Sequence, residues 1–536
     1  MKRILAVTLL ATMMLSSLSG CGKNEPESSA TSGDKSPSEN SAPKTELVVA
    51  DFEDIDDCNP HLYTGSMWFQ EMVYETLVSV TPEGIVPGLA ESWEISDDGT
   101  IYTFKIREGV TFSDGLACDA YAIEANFDAL WDNIERHVWM ESANLITGYE
   151  ATSATEFVLT LSDPYYPMLT ELGVTRPYAI GSPNTFKDGT TKDGVTSYVG
   201  TGPYVMEEHV ENEYVVMKAN EEYWGEVPDI KKITVKVIPE SQTRVLALEK
   251  GEIDLIYGAN MLEVSTLNKY MDSEEFDVSI SDPMLTKHLL LNSTTPALAS
   301  QAVREAITHA IDKAAISEGV YYGIEPVAER LYDESVPYCT VDVDTIEYDV
   351  EQAKKMLADE GWKAGDDGIL VKDGERLSLK FVYDNNSVTD KTICEFIQAE
   401  LLKVGIEITL EGFERSTYFD MLKMGDFDIT INIPWGNPYD PHAAMSAMRA
   451  PVYGDYEAQL GLENKAEIDQ AISDVLVSVD EKERQELYDF ILTELHDSCI
   501  YIPLVYETNK ALYSSELKNV GFATSVYVIP YWDMSF

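Results

Sequence analysis

The chain has 536 residues, with 94 acidic against 38 basic side chains and a formal net charge of −56. Such a surplus of carboxylates excludes a nucleic-acid binder, which must neutralise phosphates with Lys and Arg. The length exceeds what one hydrophobic core accommodates, so two lobes or more are expected.

Lys2 and Arg3 precede an apolar run from Ile4 to about Leu15, then small residues and Cys21. This order predicts a secretory signal over residues 1–20, too short to span a bilayer as a stable helix. The exit "LSGC" resembles a bacterial lipobox, which makes Cys21 the expected site of lipidation. Residues 21–44 carry no apolar side chain larger than proline and read as a flexible tether. The other five cysteines, Cys58, Cys118, Cys339, Cys394 and Cys499, contain no Cys-x-x-Cys pair. Their scatter argues for buried thiols and against a thiolate zinc site or a dense disulfide framework.

"TELVVA" opens the first lobe as a short strand, and "TIYTFKI" (Thr100–Ile106) alternates in the β manner after the turn "SDDG". Asp119 is placed to cap a helix over "AYAIEANFDALWDN". "KITVKVI" (Lys232–Ile238) predicts a strand, "SQTRVLALEKG" a helix stopped by Gly251, and "EIDLIYG" another strand. Further on, "LSLKFVYD", "IEITLEGF" and "DFDITINI" are strands separated by helices ending at Gly405 and Gly425. Strand, helix, strand, helix, strand at this spacing predicts right-handed crossovers and a parallel sheet.

The last of those strands runs into "NIPWGNPYDPHAAM" (Asn432–Met445), which sets Trp435, Tyr439 and His442 among prolines and a glycine. Ligands collect at the carboxyl ends of strands in open α/β sheets, so this loop is a candidate ligand contact. The same pattern also fits a Pro/Gly-rich turn whose aromatics pack on their own lobe. Gly-x-Ser-x-Gly, His-Glu-x-x-His, Walker and Gly-x-Gly-x-x-Gly patterns are missing, and no two of the seven histidines have zinc-site spacing. An enzyme is therefore not expected, although an extracellular hydrolase is kept as a third possibility.

Several long stretches occur in the order found in one family. "GLAESWEISDDGTIYTFKIREGVTFSDG", "EEYWGEVPDIKKITVKVIPE", "AVREAITHAIDKAAI", "YDVEQAKKMLADEGW" and "CIYIPLVYE" resemble the extracytoplasmic solute-binding proteins of ABC importers, in the branch that takes peptides and nickel. Within that branch "ERHVWMESANLI", "YYPMLTELGVTRPY", "DLIYGAN" and "WGNPYDPH" are most similar to the nickel-binding members.

The resemblance implies a two-lobed α/β fold of the periplasmic-binding-protein kind (type II), hinged between lobes. Lobe one would span residues 45–286, lobe two 287–506, and residues 507–536 would return to lobe one. The implied ligand is a divalent metal, nickel first, carried by a small chelator bearing carboxylates; a di- or oligopeptide is the alternative. Arg136 and Arg176 match the clamp for a ligand carboxylate, which guanidinium grips bidentately. Met67, Trp139, Tyr418, Trp435 and Tyr439 match its lining. The nickel-binding pattern has a histidine after the loop to complete the metal's coordination; here "MRAPVYGDYE" offers Tyr453. Tyr453 and His442 are thus the two candidate metal contacts, and Tyr527 stands where a smaller residue is common. The implied partners are an ABC permease with its ATPase, and the membrane through lipid on Cys21. A monomer at the outer face of the cell membrane is expected.

Overall fold

A strand with alternating apolar residues lays one face on a core, and Glu46–Asp51 does so through Leu47 and Val49. It pairs in parallel with Lys232–Val237, from Glu46 opposite Lys232 to Asp51 opposite Val237. The hairpin Tyr204–Val210 and Tyr214–Ala219 extends that edge, and Leu255–Tyr257 lies on the other side. The computed structural model describes residues 44–81, 84–138, 140–259, 261–434, 441–451 and 453–536.

Two long antiparallel strands, Phe276–Leu291 and Tyr501–Ser514, continue the sheet. Their register shifts around Pro283, which has no N–H to give to the ladder, and again at His288. Beyond them lie Ile429–Asn432, Ser378–Asp384 and Glu407–Phe413. These last three are parallel to one another, with helices Val388–Lys403 and Arg415–Lys423 as crossovers. One ten-stranded sheet therefore runs through both halves, with the two long strands at its middle.

Local signals stop the elements where the sequence predicts. The Asp119 side chain accepts from the Ala122 N–H at 3.0 Å and starts helix Ala120–Trp131. Gly405 follows helix Val388–Lys403 with φ of +83°, a conformation that costs a side-chain-bearing residue more. Two predicted strands are shorter than expected. "EIDLIYG" pairs only over Leu255–Tyr257 and "DFDITINI" only over Ile429–Asn432, because the acidic residues ahead of each serve other ends. Asp254 accepts from the Val48 N–H and Asp428 from the Lys380 N–H, fastening adjacent strands side chain to backbone.

The first half also holds a separate antiparallel sheet that periodicity did not separate from the large one. Its order is Ala90–Ile95, Ile101–Ile106, Glu156–Leu161, Ile146–Ser153, with helix Ala120–Trp131 packed on it. One buried cluster runs from Phe104 and Phe157 in this sheet to Met445, Ile472 and Tyr488 in the second half. The halves are thus packed against each other, and residues 44–536 form one compact unit. All five described cysteines are buried, and burial pushes the Cys58 and Cys499 thiols up to about 12. No helix among the described residues is long and apolar enough to cross a membrane.

Candidate functional site

Arg176 sits half-buried in the segment Thr175–Tyr178, which packs against helix Met67–Val73. Its guanidinium is held by neutral acceptors: Nη1 donates to the Tyr63 carbonyl at 3.0 Å, Nε to Gln70 Oε1, and Nη2 to the Gly65 carbonyl. No carboxylate lies within ion-pair distance of it among the described residues. A guanidinium has five N–H donors, so one on each Nη remains for a further acceptor. Glu71, whose charge Arg176 feels, accepts from Thr175, and burial pushes its carboxyl up to about 7 against the pull of Thr175 and Arg176. The local charge at neutral pH is therefore positive and anchored, which suits a ligand carboxylate.

Tyr63 ties a second segment to this corner. Its hydroxyl meets His137 Nδ1 at 2.5 Å, with the rings edge to face. His137 follows the exposed Arg136, whose charge also lowers the His137 imidazole after burial. Met67 begins the helix whose Gln70 holds Arg176, and it is half-buried. Trp139, Trp435 and Tyr439 lie outside the described residues.

A second cation, missed in the sequence, acts on Tyr527 together with Arg176. Arg415 is exposed at the start of helix Arg415–Lys423, just past the carboxyl end of strand Glu407–Phe413. Its guanidinium lies 5.7 Å from the Phe419 ring centroid, and Phe419 meets Tyr453 edge to face at 6.1 Å. Among the described residues Arg415 makes no ion pair. The strand-end rule applied to the Phe413 strand, and not only to the Asn432 strand, would have flagged it.

Tyr527 lies within electrostatic reach of both arginines. Burial raises its hydroxyl, while the guanidinium charges of Arg415 and Arg176 pull it down. The side chain is nevertheless 46% exposed. Tyr453 is half-buried and feels Tyr527; burial first, then Tyr527, raises its phenol, so it stays neutral at physiological pH. A neutral phenol is a poor donor to a divalent metal.

Two expected contacts are placed elsewhere. Tyr418 is buried, with its hydroxyl donating to the Ile431 carbonyl at 2.6 Å and 3.0 Å from Thr430 Oγ1. It supports the strand that leads into the loop, because a buried phenol must satisfy its hydroxyl and the strand backbone is nearest. His442 is buried among Tyr166, Tyr338 and Tyr488, and its Nδ1 meets the Tyr488 hydroxyl. Its ring is packed into the junction between the halves and does not face Arg176. Among the described residues, no group of three His, Cys, Asp or Glu side chains is placed to hold a metal ion.

Residues 84–455 match the family model of the bacterial extracellular solute-binding proteins, family 5 (middle region). The nickel-binding periplasmic protein of Escherichia coli (strain K12) is 39% identical over 491 residues, covering 91% of this chain and 94% of that protein. The dipeptide-binding protein of the same organism is 23% identical over 479 residues, covering 84% and 87%. Among solved structures, NikA from Brucella suis in complex with Fe(III)-EDTA superposes with a TM-score of 0.89 at 40% identity, covering 92% of this chain and 99% of that one.

Proposed function

This chain belongs to the bacterial extracellular solute-binding proteins of family 5, and from that premise we propose that it captures a divalent metal, nickel, as a complex with a small carboxylate-bearing chelator and delivers it to an ABC permease. Like the rest of the family it is a transport binding protein and not an enzyme. The observation that carries the reading is Arg176: a half-buried guanidinium fixed by three neutral acceptors, with donors left over and no carboxylate partner among the described residues. Such a group is costly to keep unless an anion completes it. A chelator that supplies most of the metal's oxygen and nitrogen donors also accounts for the shortage of clustered protein ligands among the described residues. The relatives that bind nickel and that hold Fe(III)-EDTA support the same class of ligand.

In this reading Arg176 takes a carboxylate of the chelator, and Arg136 and Arg415 add positive charge from the two walls. Met67, Trp139, Trp435, Tyr439 and Tyr527 cover the complex. The hinge lies in the two long strands, where Thr286 pairs with Tyr506 and Leu285 with Glu507. Closure would bring the walls together and offer a composite surface to the permease. Lipid on Cys21 would keep the protein at the outer face of the membrane, with residues 21–44 as the tether.

Thermal unfolding of the purified chain tests the ligand class, since a ligand that binds only the folded state raises the midpoint. The arms are Ni²⁺ alone, L-histidine alone, both together, and a dipeptide mixture. A rise with nickel and histidine together, and with neither alone, is expected. A rise only with dipeptides would overturn the metal reading in favour of peptide import.

A further inference from the structure

The strand Tyr501–Ser514 changes partners part-way along one edge. Tyr506 donates its N–H to the Pro326 carbonyl, and Leu504 accepts from the Ala328 N–H. Residues 504–506 therefore pair with a loop of the second half, the one that follows helix Lys313–Tyr321. Farther along, Lys510 accepts from the Gly258 N–H at 2.9 Å, and Ala511, Leu512 and Tyr513 pair with Tyr257, Ile256 and Leu255 of the first half. Thr508 falls between these two ladders, and side chains take its backbone groups. Glu325, from the same second-half loop, accepts through Oε2 from the Thr508 N–H at 2.8 Å and from the Thr508 hydroxyl at 2.9 Å. Its Oε1 accepts from Lys510 Nζ, which also donates to the Thr508 carbonyl at 2.7 Å. On the opposite edge the register with Phe276–Leu291 shifts between Ile280 and Pro283, and the Asn509 N–H goes to Ser281 Oγ at 2.7 Å. At Thr508 and Asn509, side chains thus satisfy main-chain groups that a continuous ladder pairs with main chain.

Glu325 and Lys510 are both buried, at 2% exposure each. Taking two charges out of water is costly, and apolar residues of similar volume often serve stability as well, so stability alone is a weak reason for such a pair. Its placement supplies another. Glu325 belongs to the second half, whereas Lys510 already lies in the ladder of the first. We propose that the Glu325–Lys510 pair is a strap across the hinge: the strand bends at Thr508–Asn509, and the strap limits how far the halves swing apart. The inference rests on the hinge reading and locates its pivot. Hinges are a few residues that absorb the change in backbone dihedrals. A main-chain ladder fixes register and resists that change. A carboxylate turns about its own side-chain torsions and keeps its bonds to Thr508 and Lys510 while the strand bends, until the side chains are fully extended.

Double electron–electron resonance between spin labels on the two halves tests the strap without any ligand. The labels go on Tyr121→Cys in helix Ala120–Trp131 and Leu402→Cys in helix Val388–Lys403, both exposed positions. Cys21→Ser in the full chain leaves only the five buried thiols besides. Glu325→Gln with Lys510→Met removes both charges at similar volume. It should add a longer inter-label distance that the strapped chain lacks. Glu325→Gln alone, in case the double variant fails to fold, keeps an acceptor for Thr508 and should shift the distribution in the same direction. Lys465→Met removes a buried lysine paired with Asp469 inside helix Lys465–Val477 and should leave the distribution unchanged. A strap variant, folded by circular dichroism, whose distances match the strapped chain overturns the proposal. So does an equal shift in the Lys465→Met control. Added nickel–L-histidine separates the strap from the ligand reading. If it moves no distribution while the strap variants still gain the longer distance, the ligand reading fails and the strap stands.

Discussion

Arg484 lies flat over the ring of Tyr166, its guanidinium carbon 3.4 Å from the ring centroid, and the two residues come from opposite halves of the chain. The contact is buried and braced. Arg484 is 1% exposed, donates from Nη1 to the Ser478 carbonyl at 2.8 Å, and pairs with Glu481 at 2.5 Å. The Tyr166 N–H donates to the Leu476 carbonyl at 2.9 Å, and its hydroxyl meets that of Tyr338 at 3.0 Å. This junction fastens the small sheet of the first half to the second half. A desolvated cation–π pair contributes about 2 kcal/mol. A double-mutant cycle of Tyr166→Leu and Arg484→Met in urea unfolding should return a coupling of that size, and additive effects would remove the contact from the stability account.

The Arg176 clamp separates charge from geometry. Arg176→Lys keeps the cation but cannot serve the three acceptors and a ligand carboxylate with one fixed fork. Both Arg176→Ala and Arg176→Lys should weaken nickel–histidine by roughly 100-fold or more, the range for truncating one side of a buried charge pair. Titration calorimetry reads this directly. Near-normal affinity in the lysine variant would reduce the clamp to a point charge.

Glu71 makes binding depend on pH. Burial holds its carboxyl at about 7, so it takes up a proton as the pH falls from 8 to 6. Losing that negative charge beside Arg176 strengthens the site for an anionic ligand, and affinity should rise in that direction. A carboxyl raised in the folded state also subtracts stability as pH climbs from about 4.3, its unfolded value, through 7. Glu71→Gln should flatten both profiles. A wild-type affinity that falls on acidification, with the glutamine variant unchanged, would contradict the assignment.

Lys287, on the first long strand, lies 2.5 Å from Asp390 and 3.1 Å from Glu507, with all three side chains largely buried. Burial alone would lower the lysine, but the two carboxylates outweigh it and hold it well above its ordinary range. Its contribution is then full below about 10.4, the unfolded value, and lost only as pH rises through the higher folded one. Lys287→Met leaves two carboxylates unpaired and should cost about 3 kcal/mol in urea unfolding. The deficit should stay constant from pH 6 to about 9, within the range where lysine is charged in both states.

Two glycines give a paired packing test. A Cβ at Gly200 would sit 2.0 Å from the Val73 carbonyl, at the end of the helix that holds Arg176, whereas one at Gly521 meets nothing within 4 Å. Backbone cannot yield to it, so Gly200→Ala should cost about 3 kcal/mol. Gly521→Ala should fall within about 0.5 kcal/mol of wild type, as open-surface changes do. Equal melting curves for the two variants would refute the close approach.

The helix boundaries in both halves were legible because each of their signals is local. Asp119 caps the third N–H after it, and Gly405 needs only its own φ. The separate four-stranded sheet was not legible, since alternation looks the same whichever sheet a strand joins. Tyr418 and His442 carried the right residue types for a site, but their hydrogen bonds go to Ile431 and to Tyr488. Arg415 lacked a sequence signal beyond its place after a strand.

The sequence by itself determined the elements, the likeness to one family of importers' binding proteins, and a chain far too acidic for nucleic acid. It could not say which cations would remain without a carboxylate partner. With 94 acids against 38 bases, every arginine has candidates in all directions. Pairing depends on distance through space, and distance is set by contacts far apart in the chain. Arg176 is held by Tyr63, 113 residues away, and Tyr527 reaches it from the last strand's return. Only the tertiary structure brings Arg176 and Arg415 within electrostatic reach of one tyrosine, Tyr527, with no ion pair to either among the described residues. A charge unmet within the fold is what a bound anion completes.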